Sequence, residues 1–184
     1  MTQFSKIHAM VVAGLLIAIG ILLPMALGHA VGLPGTVLLP MHIPVILAGL
    51  LTGPKYGLLV GIITPILSNL ITGMPPTFPM LPIMIGELGV YGLVSGFLFL
   101  KFSNVQNGFV RVYMSMLPAM ILGRAIYGAI FYVLVLASSY TADSIRALTV
   151  PAAIITGLPG IAIQLVAIPV ITFSVLNLRK AKQA

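Results

Sequence analysis

Cysteine and tryptophan are missing from this chain of 184 residues, and acids nearly so, with Glu87 and Asp143 the only two. Without cysteine there are no disulfides, no thiol nucleophile and no thiolate metal site, and the redox compartment is left undecided. With two acids there is no dyad of neighbouring carboxylates, and a carboxylate proton relay would have to run through Glu87 alone. No HExxH, GxSxG or Walker A sequence occurs, and the histidines do not cluster at metal-ligand spacing. These absences exclude the familiar hydrolase centres, a resident metal and a self-contained ATP-driven pump. The expected catalytic set, metal set and cofactor set of this chain are all empty.

What the sequence has in abundance is apolar surface. Hydrophobic residues make up 60% of it and charged residues 6%, the composition of a polytopic membrane protein. A spanning helix needs roughly 20 apolar residues to cross a hydrocarbon core of about 30 Å, so the length suits about six helices with short connections. The formal net charge of +7 would point to nucleic acid only if it formed a basic patch on a soluble surface. Here the charges sit at the ends of apolar runs. The first run, after Lys6, is longer than a signal-peptide core and has no convincing A-x-A site before Gly28, so it reads as a retained first helix.

Gly, Pro and polar clusters divide the apolar sequence into six candidate spans: 7–27, 41–53, 55–73, 81–102, 110–137 and 149–176. The second, "MHIPVILAGLLTG", is short and is separated from the third by "TGPKYG". The pair forms either a hairpin of two short or tilted helices or a re-entrant segment, and two spans give the more consistent charge pattern. Six spans with the N-terminus inside put Lys6, Lys55, Lys101, Arg111, Arg179, Lys180 and Lys182 on the cytoplasmic side. They leave Arg146, beside Asp143, outside. The expected fold is therefore all-α, with six transmembrane helices, both termini cytoplasmic and one domain over 1–184. The outer loops "GHAVGLPGTVLLP", "GMPPTFPM" and "ASSYTADSIRAL" would lie over an outward-facing cavity. No internal repeat is seen, which disfavours an inverted-repeat carrier.

Four features stand out within the spans. Ala9 and Ala13, then Gly14 and Ala18, are four apart in the first helix, a smooth groove that admits a second helix closely in lipid. It would serve intramolecular packing or another subunit. Arg124 lies about midway along the fifth span, in "ILGRAIYGAIFYVLVLA", where insertion costs about 2.5–3.5 kcal/mol unless the side chain faces a cavity or a partner. Glu87 lies about two turns into the fourth span, at a similar depth. Their pairing would be structural, or would recognise a polar ligand. His42, Asn69, Tyr91, Tyr127, Tyr132 and Gln164 fall at compatible depths, with Glu87 and Tyr91 on one helix face. A mostly apolar site with a few convergent polar groups is what a small molecule needs. Tyr132 also suits the outer aromatic belt, and Pro65, Pro118, Pro159 and Pro169 free backbone carbonyls inside helices.

The string "LPMHIPVILAGLLTGPKYGLLVGIITPILSNLITGMPPTFPM", followed by "GELGVYGLVSGFLF", resembles the substrate-binding (S) components of energy-coupling factor (ECF) vitamin transporters. The resemblance extends over the six-helix layout and is strongest at residues 39–100. It implies a small membrane protein that captures a vitamin outside and docks on a transmembrane scaffold subunit and two ATPases, so that ATP is used by partners. It also implies a docking role for Ala9 and Ala13, the family's helix-one AxxxA motif, with Gly14 and Ala18 continuing the stripe. "MHIPV" and "GPKYG" are most similar to pantothenate-type members. A guanidinium such as Arg124 suits the carboxylate of pantothenate. Contact through Glu87 would instead suit a pyridoxine or hydroxymethylpyrimidine type of ligand. Riboflavin would want a stacking aromatic, for which Phe78, Tyr91 and Phe131 are available. The expected ligand set is Arg124, Glu87, Tyr91, Asn69, His42, Tyr127, Gln164 and Phe78. Outside the family, the alternatives are an intramembrane enzyme using Glu87, Arg124 and His42, or a self-contained carrier.

Overall fold

Apolar runs bounded by Gly and Pro become helices, and in this chain almost nothing else is built. A computed structural model describes residues 6–31, 35–137 and 149–183. The elements are α1 (Lys6–Val31), a single turn α2 (Gly35–Leu38), α3 (His42–Thr52), α4 (Pro54–Thr72), α5 (Met80–Lys101), α6 (Gly108–Ala137) and α7 (Val150–Gln183). Among the described residues, α1, α4, α5, α6 and α7 are the five helices long and apolar enough to cross a membrane. Large apolar side chains such as Ile7, Leu70, Ile121 and Leu136 are exposed on the outside, while Glu87, Arg111, Ser95 and Gln164 are buried. That distribution suits a lipid surround.

The run expected over 41–53 gives a helix of 11 residues, roughly 16 Å long and about half of a hydrocarbon core. Its far end is set locally. Gly53 has φ 95°, a left-handed conformation open to glycine at little cost, and Pro54 starts α4 with a residue that lacks an N–H. α3 makes up for its length by burying almost its whole circumference, from His42 and Pro44 to Leu50. α1, α4, α5, α6 and α7 all pack against it.

α5 is the most enclosed of the spanning helices, with half of its apolar window buried against 22% for α1. Glycines allow this. A Cβ on Gly57 would strike the carbonyl of Gly92, one on Gly92 would strike that of Gly57, and one on Gly61 would strike that of Leu88. A Cβ on Gly96 would lie 2.8 Å from Gly49 O and 2.7 Å from Pro54 N. α3, α4 and α5 therefore meet backbone to backbone. Lipid tails are as apolar as leucine, so such close approach, rather than expulsion of water, is what holds membrane helices together.

The small-residue stripe of α1 is divided by this packing. Ala9 and Ala13 are 3% and 7% exposed, and Ala13 belongs to the main core with Val45, Ile46 and Val60. One turn beyond Leu16, a Cβ on Gly20 would lie 2.6 Å from Thr64 Cγ2. Ala9 and Ala13, the residues expected to dock on a partner subunit, are turned into the chain's own bundle. Gly14 and Ala18 remain on the outer face, and nothing lies within 4 Å of a Cβ built on Gly14.

At one end of the bundle, Tyr56 Oη lies 3.5 Å from Lys6 O, and Phe109 stacks on Phe173 at 4.6 Å. Arg111 is buried there too. Its Nε donates to Phe99 O at 2.9 Å, its Nη2 donates to the same oxygen, and its guanidinium lies 3.8 Å from the Phe99 ring. It thus satisfies a carbonyl in the last turn of α5 that has no partner within the helix.

If the α4–α5 seam is set by backbone contact, Gly92→Ala should lower stability by about 1–3 kcal/mol. Gly14→Ala, whose Cβ meets open space, should leave stability unchanged or slightly raised. Thermal unfolding of the detergent-purified chain measures both, and equal effects would discount the seam.

Candidate functional site

The residue before Arg124 makes its surroundings possible. A Cβ on Gly123 would run into the Tyr91 ring, so the glycine lets the edge of that ring from α5 press against the backbone of α6. Tyr91 then reaches back one turn on its own helix, and its Oη donates to Glu87 Oε1 at 3.0 Å. Arg124 Nη1 lies 3.0 Å from the same oxygen. His42 Nε2, from the first residue of α3, lies 3.7 Å from it, too far for a hydrogen bond. The His42 ring meets Tyr91 edge-on, with centroids 5.4 Å apart, and the Arg124 guanidinium lies 5.6 Å from the Tyr127 ring. Glu87 and Tyr91 are each 1% exposed, and Tyr127 and His42 are 2% and 3% exposed.

A carboxylate so placed is stable only if its charge and its lone pairs are answered. Arg124 answers the charge, and Tyr91 and Arg124 together saturate Oε1. The cluster is not fully satisfied, however. Among the described residues, Arg124 Nη2, His42 Nδ1 and Nε2, and Gln164 Oε1 are buried without a hydrogen-bond partner. Buried polar atoms are nearly always paired, so a group of such atoms is a candidate ligand surface.

Leu39 lies among them. Its carbonyl accepts from His42 N at 3.1 Å and from Gln164 Nε2 at 3.5 Å. A Cβ on Gly157 of α7 would lie 2.8 Å from Leu39 Cδ1 and 3.6 Å from Arg124 Nη2. Leu39 has φ 47°, a left-handed conformation that costs a side chain of this kind about 1–2 kcal/mol. The packing around it holds it there.

The structure thus gathers Glu87, Arg124, Tyr91, His42 and Tyr127, with Gln164 joined through Leu39. It does not bring Asn69 or Phe78 to them. Asn69 Nδ2 donates to Pro75 O at 2.7 Å and to Thr77 Oγ1 at 3.3 Å. It staples the α4–α5 loop beside Gly73, whose φ is 74°. Phe78 is 55% exposed in that loop, and Tyr132 is 64% exposed on α6. Asp143 and Arg146 lie outside the described residues. Three neighbours had no distinct sequence signal: Gly123 and Gly157 are hidden among 19 glycines, and Leu39 has a residue type that gives no hint of its backbone.

The cluster can hold a ligand by offering donors from Arg124 and His42 and an acceptor from Gln164. Among the described residues no three His, Cys, Asp or Glu side chains are grouped to hold a metal. Two shallow apolar hollows on the outside, at Ala129, Ile130, Val133 and Leu134 and at Ile19, Leu22, Leu23 and Ala26, do not touch the cluster.

Fold and cluster together describe a polytopic helical membrane protein with a buried polar cluster in its core. Residues 8–172 match the family described as ECF transporter, substrate-specific component, and the chain belongs to that family. It is therefore a subunit of a transporter rather than an enzyme. Family membership implies a small-molecule substrate and docking to an ECF scaffold and ATPase module. No curated protein and no solved structure matches the chain.

Removing one partner of a buried pair leaves the other uncompensated. Arg124→Met should lower stability by about 3–5 kcal/mol. The double variant Glu87→Gln with Arg124→Met should be more stable than Arg124→Met alone. A thermal-unfolding cycle measures this, and additive losses would show that the two charges do not act as a pair.

Proposed function

We propose that this chain is the high-affinity vitamin-binding subunit of an ATP-driven ECF importer, with pantothenate as its ligand. The observation that carries the ligand reading is Arg124, which engages Glu87 through Nη1 and holds Nη2 buried without a partner among the described residues. A guanidinium with one free fork nitrogen suits a carboxylate. Two features support an acid here. α3 is too short to span and begins at His42, beside Glu87, and half-helix N-termini inside membrane bundles favour anionic substrate groups. His42 and Gln164 add hydrogen-bonding atoms suited to the hydroxyl and amide groups of pantothenate. Pyridoxine, hydroxymethylpyrimidine or riboflavin contact through Glu87 fits less well, because Oε1 already receives Tyr91 and Arg124.

The protein works as one six-helix domain in a prokaryotic plasma membrane, with both termini cytoplasmic. The gathering of Lys6, Tyr56 and Arg111 at one end supports that orientation. The vitamin is captured from the outer side. Docking on the shared module then favours a second arrangement that releases it inside, with ATP hydrolysed by the partner subunits; this is a differential stabilisation of two states. Docking uses the outer face of α1 around Gly14 and Ala18, flanked by the exposed Met10, Val11 and Leu15.

Arg124→Lys keeps a cation beside Glu87 but removes the second fork nitrogen, and it should weaken pantothenate binding at least about tenfold. Calorimetry on the purified chain measures this, and unchanged affinity would return Arg124 to a purely structural role. Gly14→Trp should leave binding intact while abolishing uptake in cells that carry the whole transporter. Loss of binding along with uptake would remove the docking role from this face. Ala13→Trp cannot separate the two, because its side chain would enter the core.

A further inference from the structure

With a neutral imidazole on His42 the buried cluster is electrically balanced: Glu87 carries one negative charge, Arg124 one positive, and Tyr91 and Tyr127 are phenols. A carboxylate arriving at Arg124 Nη2 adds a negative charge where Glu87, Tyr91 and His42 are each 3% exposed or less. A charge in such surroundings needs a compensating one. The groups that face His42 from neighbouring elements are Glu87 and Tyr91 of α5 and Arg124 of α6, with Tyr127 beyond. Among the described side chains, α1 and α4 carry ionisable groups only toward the opposite end of α3, namely Lys6, His8, Lys55 and Tyr56. α7 brings the neutral amide of Gln164.

We infer that an acidic ligand is captured together with one proton, and that His42 takes it. The inference rests on the reading of Arg124 as a carboxylate receptor. Imidazole is the side chain here whose ordinary titration lies near neutral pH. Both of its nitrogens are buried without a hydrogen-bond partner, and Nε2 lies 3.7 Å from Glu87 Oε1. As an imidazolium it has two donors. One strengthens the contact with Glu87, and the other is left for the ligand. The site then holds two negative and two positive charges and returns to balance. A neutral ligand would need no proton, so proton uptake also reports the charge class of what the site was built to hold.

The test is calorimetric titration of the purified full chain with pantothenate as the probe, at one pH in buffers of different ionisation enthalpy. At about pH 7.5 the dependence on buffer should give uptake of close to one proton per ligand. His42→Gln should bind with no proton uptake and at least about tenfold more weakly. Glu87→Gln, which removes the site's own negative charge, should bind the acid without a proton. Wild-type binding with no proton uptake would overturn the inference and leave the vitamin reading standing. Proton uptake retained in His42→Gln would assign the proton to another group such as Glu87 and overturn it for His42. Because the wild-type buffer series needs no variant, poor folding of His42→Gln does not spare the inference. No binding of pantothenate at all would overturn the acid reading and the proton with it.

Discussion

The structure is organised around a carboxylate inside a membrane bundle. Glu87 is 1% exposed, and the cost of burying a charge in such a place is several kcal/mol unless it is neutralised and hydrogen-bonded. Arg124 supplies the opposite charge from α6, and Tyr91 supplies a proton donor from one turn away on α5. Neither can arrive without glycine. Gly123 opens α6 to the Tyr91 ring, and Gly86 makes room for Ile130 on the same interface. The pairing of charges and the close packing of α5 against α6 are therefore one solution rather than two.

On the opposite side of α5 the same economy of side chain joins it to α3 and α4. Gly57, Gly61, Gly92 and Gly96 bring backbones into contact, and this fixes where the short α3 can lie. α3 has 11 residues, and its first, His42, is buried in the bundle beside Glu87. A full-length helix would have carried that histidine to the interface. Shortness is thus what brings an apolar hairpin to the buried polar cluster.

Packing also gives the first helix two unlike faces. Ala9 and Ala13 belong to the core, while Gly14, Ala18 and their long apolar neighbours face outward on the same helix. One helix therefore contributes a face to the chain's own interior and a face to its surroundings. Membership of the substrate-specific component family implies an ECF scaffold and ATPase module as partners.

Composition and apolar run length by themselves determined the membrane class, the helical fold and the exclusion of hydrolase and pump chemistry, because hydrocarbon accepts few backbone arrangements and those chemistries need residues that are missing. The sequence also pointed to Arg124 and Glu87, since charges are so rare in spans that each is conspicuous, and the i,i+4 spacing put Tyr91 on the face of Glu87. Tertiary structure alone decided the rest. Depth along a helix is legible from length, but azimuth is not, so which face of α1 is free and whether Asn69 meets Glu87 or staples its own loop depended on the neighbours. The charge pattern favours a span at 41–53, and only the tertiary structure shows an 11-residue helix there, buried around almost its whole circumference. Leu39, Gly123 and Gly157 complete the site through backbone conformation and lack of bulk, properties that acquire meaning only when a second helix lies against them.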